Sequence, residues 1–410
     1  MAREYKDMVF GLDIGTIKVM VVAAEVLPEG GLRVAGLGVA PTHGLKRGVV
    51  VNIDATVQSI QQALKEAEMM AACKIGSVYT GITGSHIRGQ NSTGMVIVRD
   101  NREVTPTDVA RVVETAKAIN IPNDQRLLLV EPQEFVIDGH EVKEPIGMSG
   151  SRLEVKVHIV TGAGSAAENI LKCVRRCGLE VERLVLNPSA SAAAVLTDDE
   201  KSLGVAVVDI GAGTTDVQIY TDGSVRHTAV IPIAGDLITS DIAMALRTPT
   251  KDAEQIKVEH GVAKQLLADP SDQLEVPGLG DRQPRLLSRQ ALAGVIEPRI
   301  EEIFSLVHQV IRESGYEELL SSGVVICGGS AVMPGLVELG EDIFLKPVRR
   351  GSPTYSGPLF DMVANPRSAT VMGLLEEARL ARARGLKAAA QAGSVKTVLG
   401  RAKDWFLGNF

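Results

Sequence analysis

Apolar runs separated by a glycine turn near the N-terminus predict that the chain begins with a β-sheet. Residues 9–22 form two apolar segments on either side of the sequence DIGT (13–16), a pattern typical of two strands joined by a tight hairpin. Residues 55–70 follow with a helical period, and residues 77–82 have the pattern of a strand. This alternation of strand and helix indicates a sheet covered by helices.

The strand–turn–strand pattern returns in the second half of the chain. Residues 203–220 contain the sequence DIGAGTTD (209–216) between two apolar segments. Two such units in one chain suggest an internal duplication. We therefore predict an α/β fold with two lobes built on duplicated mixed sheets.

A different pattern separates the two repeats. Between residues 84 and 160, a helix is predicted over 107–119 and extended segments over 127–137 and 153–160. We interpret this block as an inserted small α/β subdomain. Later helical patterns cover residues 239–267 and 289–314 and predict a helical subdomain within the second lobe.

Composition and charge narrow the class of protein. The chain has 45% hydrophobic, 23% charged and 3% aromatic residues, which predicts cores of Val, Ile, Leu and Ala. A formal charge of −7 argues against nucleic acid as a partner. The four cysteines are scattered and are expected to be buried thiols in a reducing compartment. We expect neither a secretory signal nor a membrane-spanning segment.

Both glycine turns are candidates for phosphate binding. A glycine turn leaving a strand lets backbone N–H groups approach phosphate oxygens, and a neighbouring hydroxyl can donate as well. A single copy would be an ordinary hairpin, but two copies favour a clasp around one polyphosphate. The candidate phosphate-binding residues are Gly15, Thr16, Lys18, Gly211, Gly213, Thr214 and Thr215.

Two carboxylates lead the glycine turns. Asp13 and Asp209 are expected to face each other across a cleft, where they suit a hydrated Mg²⁺ ion. Asp209 is also the candidate catalytic residue, because it would be able to orient an attacking water. Asp216, at the end of the second motif, is interpreted as structural.

These motifs resemble those of the actin, hexokinase and chaperone superfamily. Residues 12–18 and 207–220 resemble its phosphate motifs, and VVICGGSA (324–331) resembles its adenosine motif. The resemblance implies ATP and Mg²⁺ as cofactors, with Gly328, Gly329 and Ser330 at the adenosine. Small residues at 187–196 and 369–377 match the two helices that cross between the lobes.

The sequence AEQIK (253–257) resembles the ribose-contacting helix of bacterial actins. Glu254 and Lys257 are three positions apart, so both side chains can point from one face of a helix toward the ribose. A solvated ion pair is the alternative.

Further motifs resemble the FtsA family of bacterial cell-division proteins over nearly the whole chain. They are VYTGITGS (78–85), EPQEF (131–135), KVHIV (156–160), residues 203–215, residues 227–240 and VIEPR (295–299). The family resembles actin but replaces one actin subdomain with a differently placed insert, which matches the block after residue 84.

The family resemblance also implies a function. It implies an ATP-binding protein that forms filaments with itself at the inner face of the cytoplasmic membrane, at the division site at midcell. It also implies that the C-terminal tail of the division tubulin FtsZ docks on the helical subdomain and that later divisome proteins are recruited. Arg299 is a candidate partner for the acidic tail, although a solvated or intramolecularly paired arginine remains an alternative.

One position departs from the superfamily pattern. Where a Gln or Glu often stands near the attacking water, alignment through Pro188 gives Asn187. An asparagine is one methylene shorter than glutamine and cannot act as a general base. We expect Asn187 to have at most a water-positioning role and ATP hydrolysis to be slow or absent.

The C-terminal segment has the pattern of a helix that lies on a membrane surface. A helix here would carry one apolar stripe that includes the only Trp of the chain and is flanked by basic residues. This pattern is expected for an interfacial helix that binds an anionic membrane. The stripe consists of Val395, Val398, Leu399, Ala402, Trp405, Phe406 and Phe410, and the flanking residues are Lys396, Arg401 and Lys403. Packing on the protein's own core is the alternative.

These assignments divide the chain as follows. The first lobe comprises 1–83 and 162–196, the insert 84–161, the second lobe 197–242 and 316–375, and the helical subdomain 243–315. A linker over 376–393 is predicted to begin as a helix end and to continue as a flexible tether, and the membrane-targeting helix is 394–410. A sugar kinase, a phosphatase or a chaperone ATPase would share the phosphate motifs, and a pilus-assembly adaptor would share the fold. The terminal helix favours the cell-division adaptor over all four.

Overall fold

The first predicted turn joins two antiparallel strands at the centre of a five-stranded sheet. The computed structural model describes residues 7–99, 103–280 and 282–392. Its first elements are β1 (Met8–Ile14), β2 (Lys18–Val26), β3 (Leu32–Pro41), β4 (Leu45–Lys46), β5 (Val49–Val50), α1 (Ile53–Ala71) and β6 (Ser77–Ile82). β1 pairs antiparallel with β2 and parallel with β6, as expected for a sheet that mixes a hairpin with crossover connections.

The insert forms a separate four-stranded antiparallel sheet. Its elements are β7 (Arg88–Ile97), α2 (Pro106–Lys117), β8 (Gln125–Ile137), β9 (His140–Val142) and β10 (Arg152–Ala163). The strand order is β7-β10-β8-β9, and α2 packs on this sheet through valines that are buried with the apolar side chains of β10. Thr105 and Asp108 cap the start of α2 reciprocally, which explains why the helix begins at Pro106.

The second lobe repeats the first. The chain continues through α3 (Gly164–Arg176), β11 (Glu180–Leu186), α4 (Asn187–Val195), α5 (Asp198–Leu203), β12 (Val205–Ile210), β13 (Thr215–Thr221), β14 (Ser224–Ile231), α6 (Gly235–Leu246), α7 (Thr250–His260), β15 (Gln273–Val276), β16 (Arg285–Ser288), α8 (Arg289–Ser314), β17 (Val324–Cys327), α9 (Leu336–Phe344), β18 (Val348–Arg350), α10 (Phe360–Val363) and α11 (Ala369–Ala392). The sheet order β14-β13-β12-β17-β18 mirrors β3-β2-β1-β6-β11. The predicted duplication is therefore confirmed.

Two helices cross between the lobes where the sequence has small residues. A Cβ atom built on Gly373 of α11 would lie 1.7 Å from the carbonyl oxygen of Ala190 on α4. No larger residue fits at this position without moving a backbone, so glycine sets the distance between the helices.

The helix end predicted at the start of the linker 376–393 extends further than expected, because α11 is helical to Ala392. The segment lacks a broad apolar face, but its Ala, Leu, Arg, Lys and Glu residues have the highest helix propensities. No helix in the described part of the chain is both long and apolar enough to cross a membrane.

Candidate functional site

The two glycine turns face each other across a cleft of about 360 Å³ between the lobes. Each turn is closed in the same way, by Gly15 N–H donating to the Lys18 carbonyl (3.0 Å) and by Gly211 N–H donating to the Thr214 carbonyl (2.9 Å). A Cβ atom on Gly213 would lie 2.6 Å from Thr16 Oγ1, so the two turns almost touch. Only glycine allows this approach.

Most of the residues predicted to bind nucleotide or metal lie together on the wall of this cleft. They are Asp13, Gly15, Thr16, Lys18, Asn187, Asp209, Gly211, Gly213, Thr214, Glu254, Lys257, Gly328, Gly329 and Ser330. Thr215 is the exception. Its side chain is fully buried and donates to the Ile233 carbonyl at 2.8 Å, because adjacent residues of an extended chain point to opposite sides.

The cleft carboxylates are buried, and burial raises their pKa values. The pKa of Asp13 rises to about 6, because burial and the nearby charge of Asp209 outweigh the opposing effect of Lys18. Burial likewise raises the pKa of Asp209, against hydrogen bonds from Ser191 and Thr370 and the charge of Lys18. Positive charge in the cleft would therefore stabilise both ionised carboxylates.

The carboxylates of Asp13 and Asp209 fit a Mg²⁺ ion that is held largely through water and phosphate. Carboxylate oxygens are the ligands that Mg²⁺ prefers, and one or two of them commonly suffice when a nucleotide supplies the rest. Within residues 7–99, 103–280 and 282–392, no cluster of three or more acidic, His or Cys side chains forms a metal cage. Asp13 and Asp209 would be the residues that hold the ion.

The second-lobe helices form the other end of the cleft. Lys257 Nζ donates to Glu254 Oε2 (2.6 Å), Thr239 Oγ1 (2.9 Å) and the Gly235 carbonyl (3.2 Å). The predicted pair is therefore an ion pair on the cleft wall, with the lysine buried. Thr239 also donates to Glu254, so these side chains are held in place.

The adenosine motif contributes two glycines with different surroundings. Gly328 has a φ of +90°, and a Cβ atom there would lie 2.3 Å from Asp209 Oδ1. Among the residues that the structure describes, a Cβ atom on Gly329 would meet nothing within 4 Å, so this glycine borders open space on the cleft wall. Ser330 Oγ donates to the Gly211 carbonyl at 3.3 Å and links this motif to the second phosphate turn.

Asn187 begins α4 on the cleft wall. Its Oδ1 atom is buried and has no hydrogen-bond partner within the part of the chain that the structure describes. The same oxygen packs closely against Gly81 of β6, where a Cβ atom would lie 2.2 Å away. This oxygen is shielded from solvent in the present arrangement, so the Asn187 side chain would have to turn toward the cleft to position a water.

The structure adds cleft residues that the sequence motifs did not identify. Asp216 lines the cleft and accepts a hydrogen bond of 2.6 Å from Thr83 at the end of β6. Burial and the charge of Asp209 raise the pKa of Asp216 to about 8. The sequence contained a signal for this position, because antiparallel pairing of β12 with β13 in the hairpin sets Asp216 opposite Asp209. The interpretation of Asp216 as structural did not include this position on the cleft wall.

Arg367 and Thr370 lie just before and within the start of α11. Both line the cleft, and the Arg367 carbonyl accepts a hydrogen bond of 2.8 Å from Lys18 Nζ. Neither belongs to the phosphate or adenosine motifs, although Thr370 lies in the segment 369–377 that matches a connecting helix. Only the folded chain brings both residues to the phosphate turns.

Arg299 lies on α8, away from the cleft. Its guanidinium donates to both oxygens of Asp241 (2.6 and 3.0 Å) and also contacts Glu302. These carboxylates raise the pKa of Arg299. Of the alternatives left open by the sequence, the structure shows the intramolecular pair.

The predicted membrane-binding residues lie outside the described residues. They are Val395, Lys396, Val398, Leu399, Arg401, Ala402, Lys403, Trp405, Phe406 and Phe410. Their assignment stays a prediction from the sequence.

Comparisons with protein families and curated relatives agree with one another. The family model for cell division protein FtsA matches residues 206–373, and the model for the SHS2 domain inserted in FtsA matches residues 84–161. Cell division protein FtsA of Pseudomonas aeruginosa is 53% identical and aligns with 98% of each chain. The protein of the same name from Escherichia coli K12 is 44% identical over 90% of each chain.

Solved structures show the same fold at low sequence identity. A PilM–PilN type IV pilus biogenesis complex matches with a TM-score of 0.66 and 18% identity, covering 91% of this chain and 98% of the other. MreB5 of Spiroplasma citri bound to ADP matches with a TM-score of 0.53 and 16% identity, covering 91% and 95%. These likenesses confirm the predicted actin-like two-lobed α/β fold.

Proposed function

The chain belongs to the FtsA family of cell division proteins, and on this basis we propose that it is an ATP-binding, actin-like adaptor. In this proposal it polymerises at the inner face of the cytoplasmic membrane at the division site. There it tethers FtsZ and helps to recruit later divisome proteins. The observation that carries the nucleotide-binding part of the proposal is the cleft in which both glycine turns, the adenosine motif and two buried carboxylates converge. Family membership supports the rest.

ATP with Mg²⁺ is the proposed cofactor. Backbone N–H groups of the two turns would bind the phosphates, with Thr16, Lys18 and Thr214 beside them. Solved relatives of this fold are described as MreB5 bound to ADP and to AMPPNP. We expect the purified chain to bind AMPPNP saturably in isothermal titration calorimetry, and no heat of binding at millimolar nucleotide would contradict this.

ATP turnover is proposed to be slow. The candidate water-positioning group, Asn187, has an amide oxygen and not a base, and it lines the same cleft as Asp209. We expect little phosphate release from ATP at steady state. Brisk release by the wild-type chain that disappears in Asp209→Asn would show that the site is a true ATPase.

Membrane attachment is proposed to reside in residues 394–410. Flotation with vesicles containing phosphatidylglycerol should recover the full chain but not a chain that ends at residue 393. The matched pair is Phe406→Glu, on the apolar stripe, and Leu407→Glu, beside it. We expect the first substitution to abolish flotation and the second to weaken it less, whereas equal flotation of full and truncated chains would contradict membrane attachment.

FtsZ recruitment is proposed to use the helical subdomain. An acidic FtsZ tail that docks on Arg299 would have to replace Asp241 and Glu302, the carboxylates that now pair with it. Fluorescence anisotropy of a labelled tail peptide should show weaker binding to Arg299→Ala than to Arg312→Ala, an exposed arginine on the same helix. Equal binding to both variants would remove Arg299 from the contact, and no binding to wild type would contradict the adaptor function.

A further inference from the structure

One oxygen of the Asp209 carboxylate is surrounded by two buried hydroxyl groups. Ser191 Oγ lies 2.5 Å and Thr370 Oγ1 lies 3.2 Å from the same atom, Oδ2, and the two hydroxyl oxygens are 3.1 Å apart. All three side chains are at least nine-tenths buried. Hydrogen bonds to a buried carboxylate are among the stronger ones in proteins, so this contact fixes the rotation of the Asp209 side chain.

The two hydroxyl groups come from the two helices that connect the lobes. Ser191 lies on α4 and Thr370 lies on α11, next to the point where Gly373 packs on the Ala190 carbonyl. The contact therefore exists only when the helices cross as they do here. Neither residue belongs to the phosphate or adenosine motifs.

The other carboxylate oxygen is confined from the opposite side. Asp209 Oδ1 lies so close to Gly328 that a Cβ atom there would be 2.3 Å away. Asp209 is thus held by segments of both connecting helices and of the adenosine motif. Its orientation depends on how the two lobes are arranged around the cleft.

We propose that Ser191 and Thr370 are positioning residues that hold Asp209 for Mg²⁺-dependent nucleotide binding and link its orientation to the helix crossing. The inference rests on the proposed nucleotide-binding function and deepens it. The two hydroxyl groups bind Oδ2, so the carboxylate is presented to the cleft in one orientation. When the lobes rotate apart at the crossing, one or both hydrogen bonds break and Asp209 loses that orientation.

The test compares nucleotide binding with and without the metal ion. AMPPNP affinity is measured by isothermal titration calorimetry in excess Mg²⁺ and in EDTA for wild type, Thr370→Val and the pair Ser191→Ala with Thr370→Val. Valine keeps the shape of threonine and removes only its hydroxyl. We expect the affinity with Mg²⁺ to fall about ten-fold in the double variant and the affinity in EDTA to stay unchanged.

Two further variants separate positioning from general structure. Thr370→Ser keeps a hydroxyl and should retain the wild-type response to Mg²⁺. Ser189→Ala removes a hydroxyl from α4 that contacts Gln218 and not Asp209, and it should also respond to Mg²⁺ like wild type. Thermal unfolding of each variant checks that it is folded, and Thr370→Val alone serves if the double variant does not fold.

The possible outcomes distinguish this inference from the proposed function. If wild type binds AMPPNP and the variants show the same gain from Mg²⁺ as wild type, the positioning role is wrong while nucleotide binding stands. An equal loss of affinity in Mg²⁺ and in EDTA also overturns the positioning role. If wild type binds AMPPNP in neither condition, the proposed nucleotide function itself fails and the inference falls with it.

Discussion

Adjacent glycines of the adenosine motif illustrate two different reasons for glycine at a binding site. Gly328 is required by the protein itself, because its backbone has a positive φ and its Cα lies against Asp209. Gly329 faces open space, so the folded chain alone would accept a methyl group there. A need for glycine at position 329 would therefore come from a ligand.

This contrast predicts opposite effects of two alanine substitutions. Gly328→Ala should lower the free energy of unfolding by more than about 1 kcal/mol, since it combines backbone strain with a clash. Gly329→Ala should change that free energy by less than about 0.5 kcal/mol but weaken AMPPNP binding. Urea unfolding and calorimetric titration measure the two quantities. Normal nucleotide affinity in Gly329→Ala would place the nucleotide away from this glycine.

At the level of secondary structure, the crossing of α4 and α11 determines how the lobes meet. The helices approach at Gly373, which lies against the backbone of Ala190. Val371, Leu374 and Leu375 of α11 are buried on either side of this glycine, so the helix cannot move away without exposing apolar surface.

Two glycines of α11 give a matched test of this crossing. Gly373→Ala places a Cβ atom 1.7 Å from a carbonyl oxygen, so we expect it to lower the free energy of unfolding by about 1–3 kcal/mol or more. Gly385→Ala lies on the same helix at an exposed position where a Cβ atom meets nothing within 4 Å in the described part of the chain. It should raise the free energy of unfolding by up to about 1 kcal/mol, because alanine favours helix. Destabilisation by Gly385→Ala would contradict a regular helix at that position.

Local patterns predicted the elements more successfully than the contacts between them. Both glycine hairpins follow from apolar strands and turn residues that are adjacent in sequence, and the structure confirms them. The end of α11 was misjudged because the predicted tether was inferred from a missing apolar face, whereas backbone propensity continued the helix. The Arg299–Asp241 pair joins α8 to α6, and no local pattern identifies such a partner.

In the candidate site, too, local features were predicted from the sequence and contacts between distant segments were not. Glycines and hydroxyls of the phosphate turns are visible in the sequence because a turn requires them within a few residues. Thr215 was misassigned because strand alternation turns it away from the cleft. Arg367 and Thr370 reach the cleft only through the packing of α11, so their roles depend on the tertiary fold.

Across the whole molecule, the insert contacts both lobes. The insert branches from the first lobe, yet its polar side chains contact β14 of the second. Asn91 Nδ2 donates to the Arg226 carbonyl (3.1 Å) and Gln133 Nε2 donates to the Val225 carbonyl (2.8 Å). His158 lies between them, with Nε2 3.0 Å from Thr228 Oγ1.

The hydrogen-bond network assigns His158 as a neutral ring. Its Nδ1 lies 2.7 Å from Asn91 Oδ1, an acceptor, so Nδ1 carries the proton and Nε2 accepts from Thr228. Thr228 Oγ1 in turn accepts from Gln218 Nε2 at 3.1 Å. A second proton on the ring would force the Thr228 hydroxyl to find another acceptor inside the interface.

Protonation of His158 should therefore oppose folding. Burial, with a smaller contribution from His227, lowers the pKa of His158 from 6.5 to about 3 in the folded chain. Between these two pH values the unfolded chain binds a proton that the folded chain does not, so the free energy of unfolding falls as the pH falls. From pH 7 to pH 5 the loss from this one residue is about 2 kcal/mol.

We expect His158→Gln to remove this part of the pH dependence. The variant will be less stable than wild type at pH 7, because it disturbs the network, but the difference in free energy of unfolding should shrink by about 2 kcal/mol at pH 5.

His140→Gln, at an exposed position on β9 of the same insert, is the control and should keep the wild-type pH dependence of stability. Other groups also titrate in this range, and burial and the charge of Glu377 raise the pKa of Glu131 to about 7. These groups are the same in wild type and in both variants, so their contributions cancel in the comparison. Urea unfolding at the two pH values measures each difference, and parallel curves for His158→Gln and wild type would mean that the insert does not hold a neutral histidine against the second lobe.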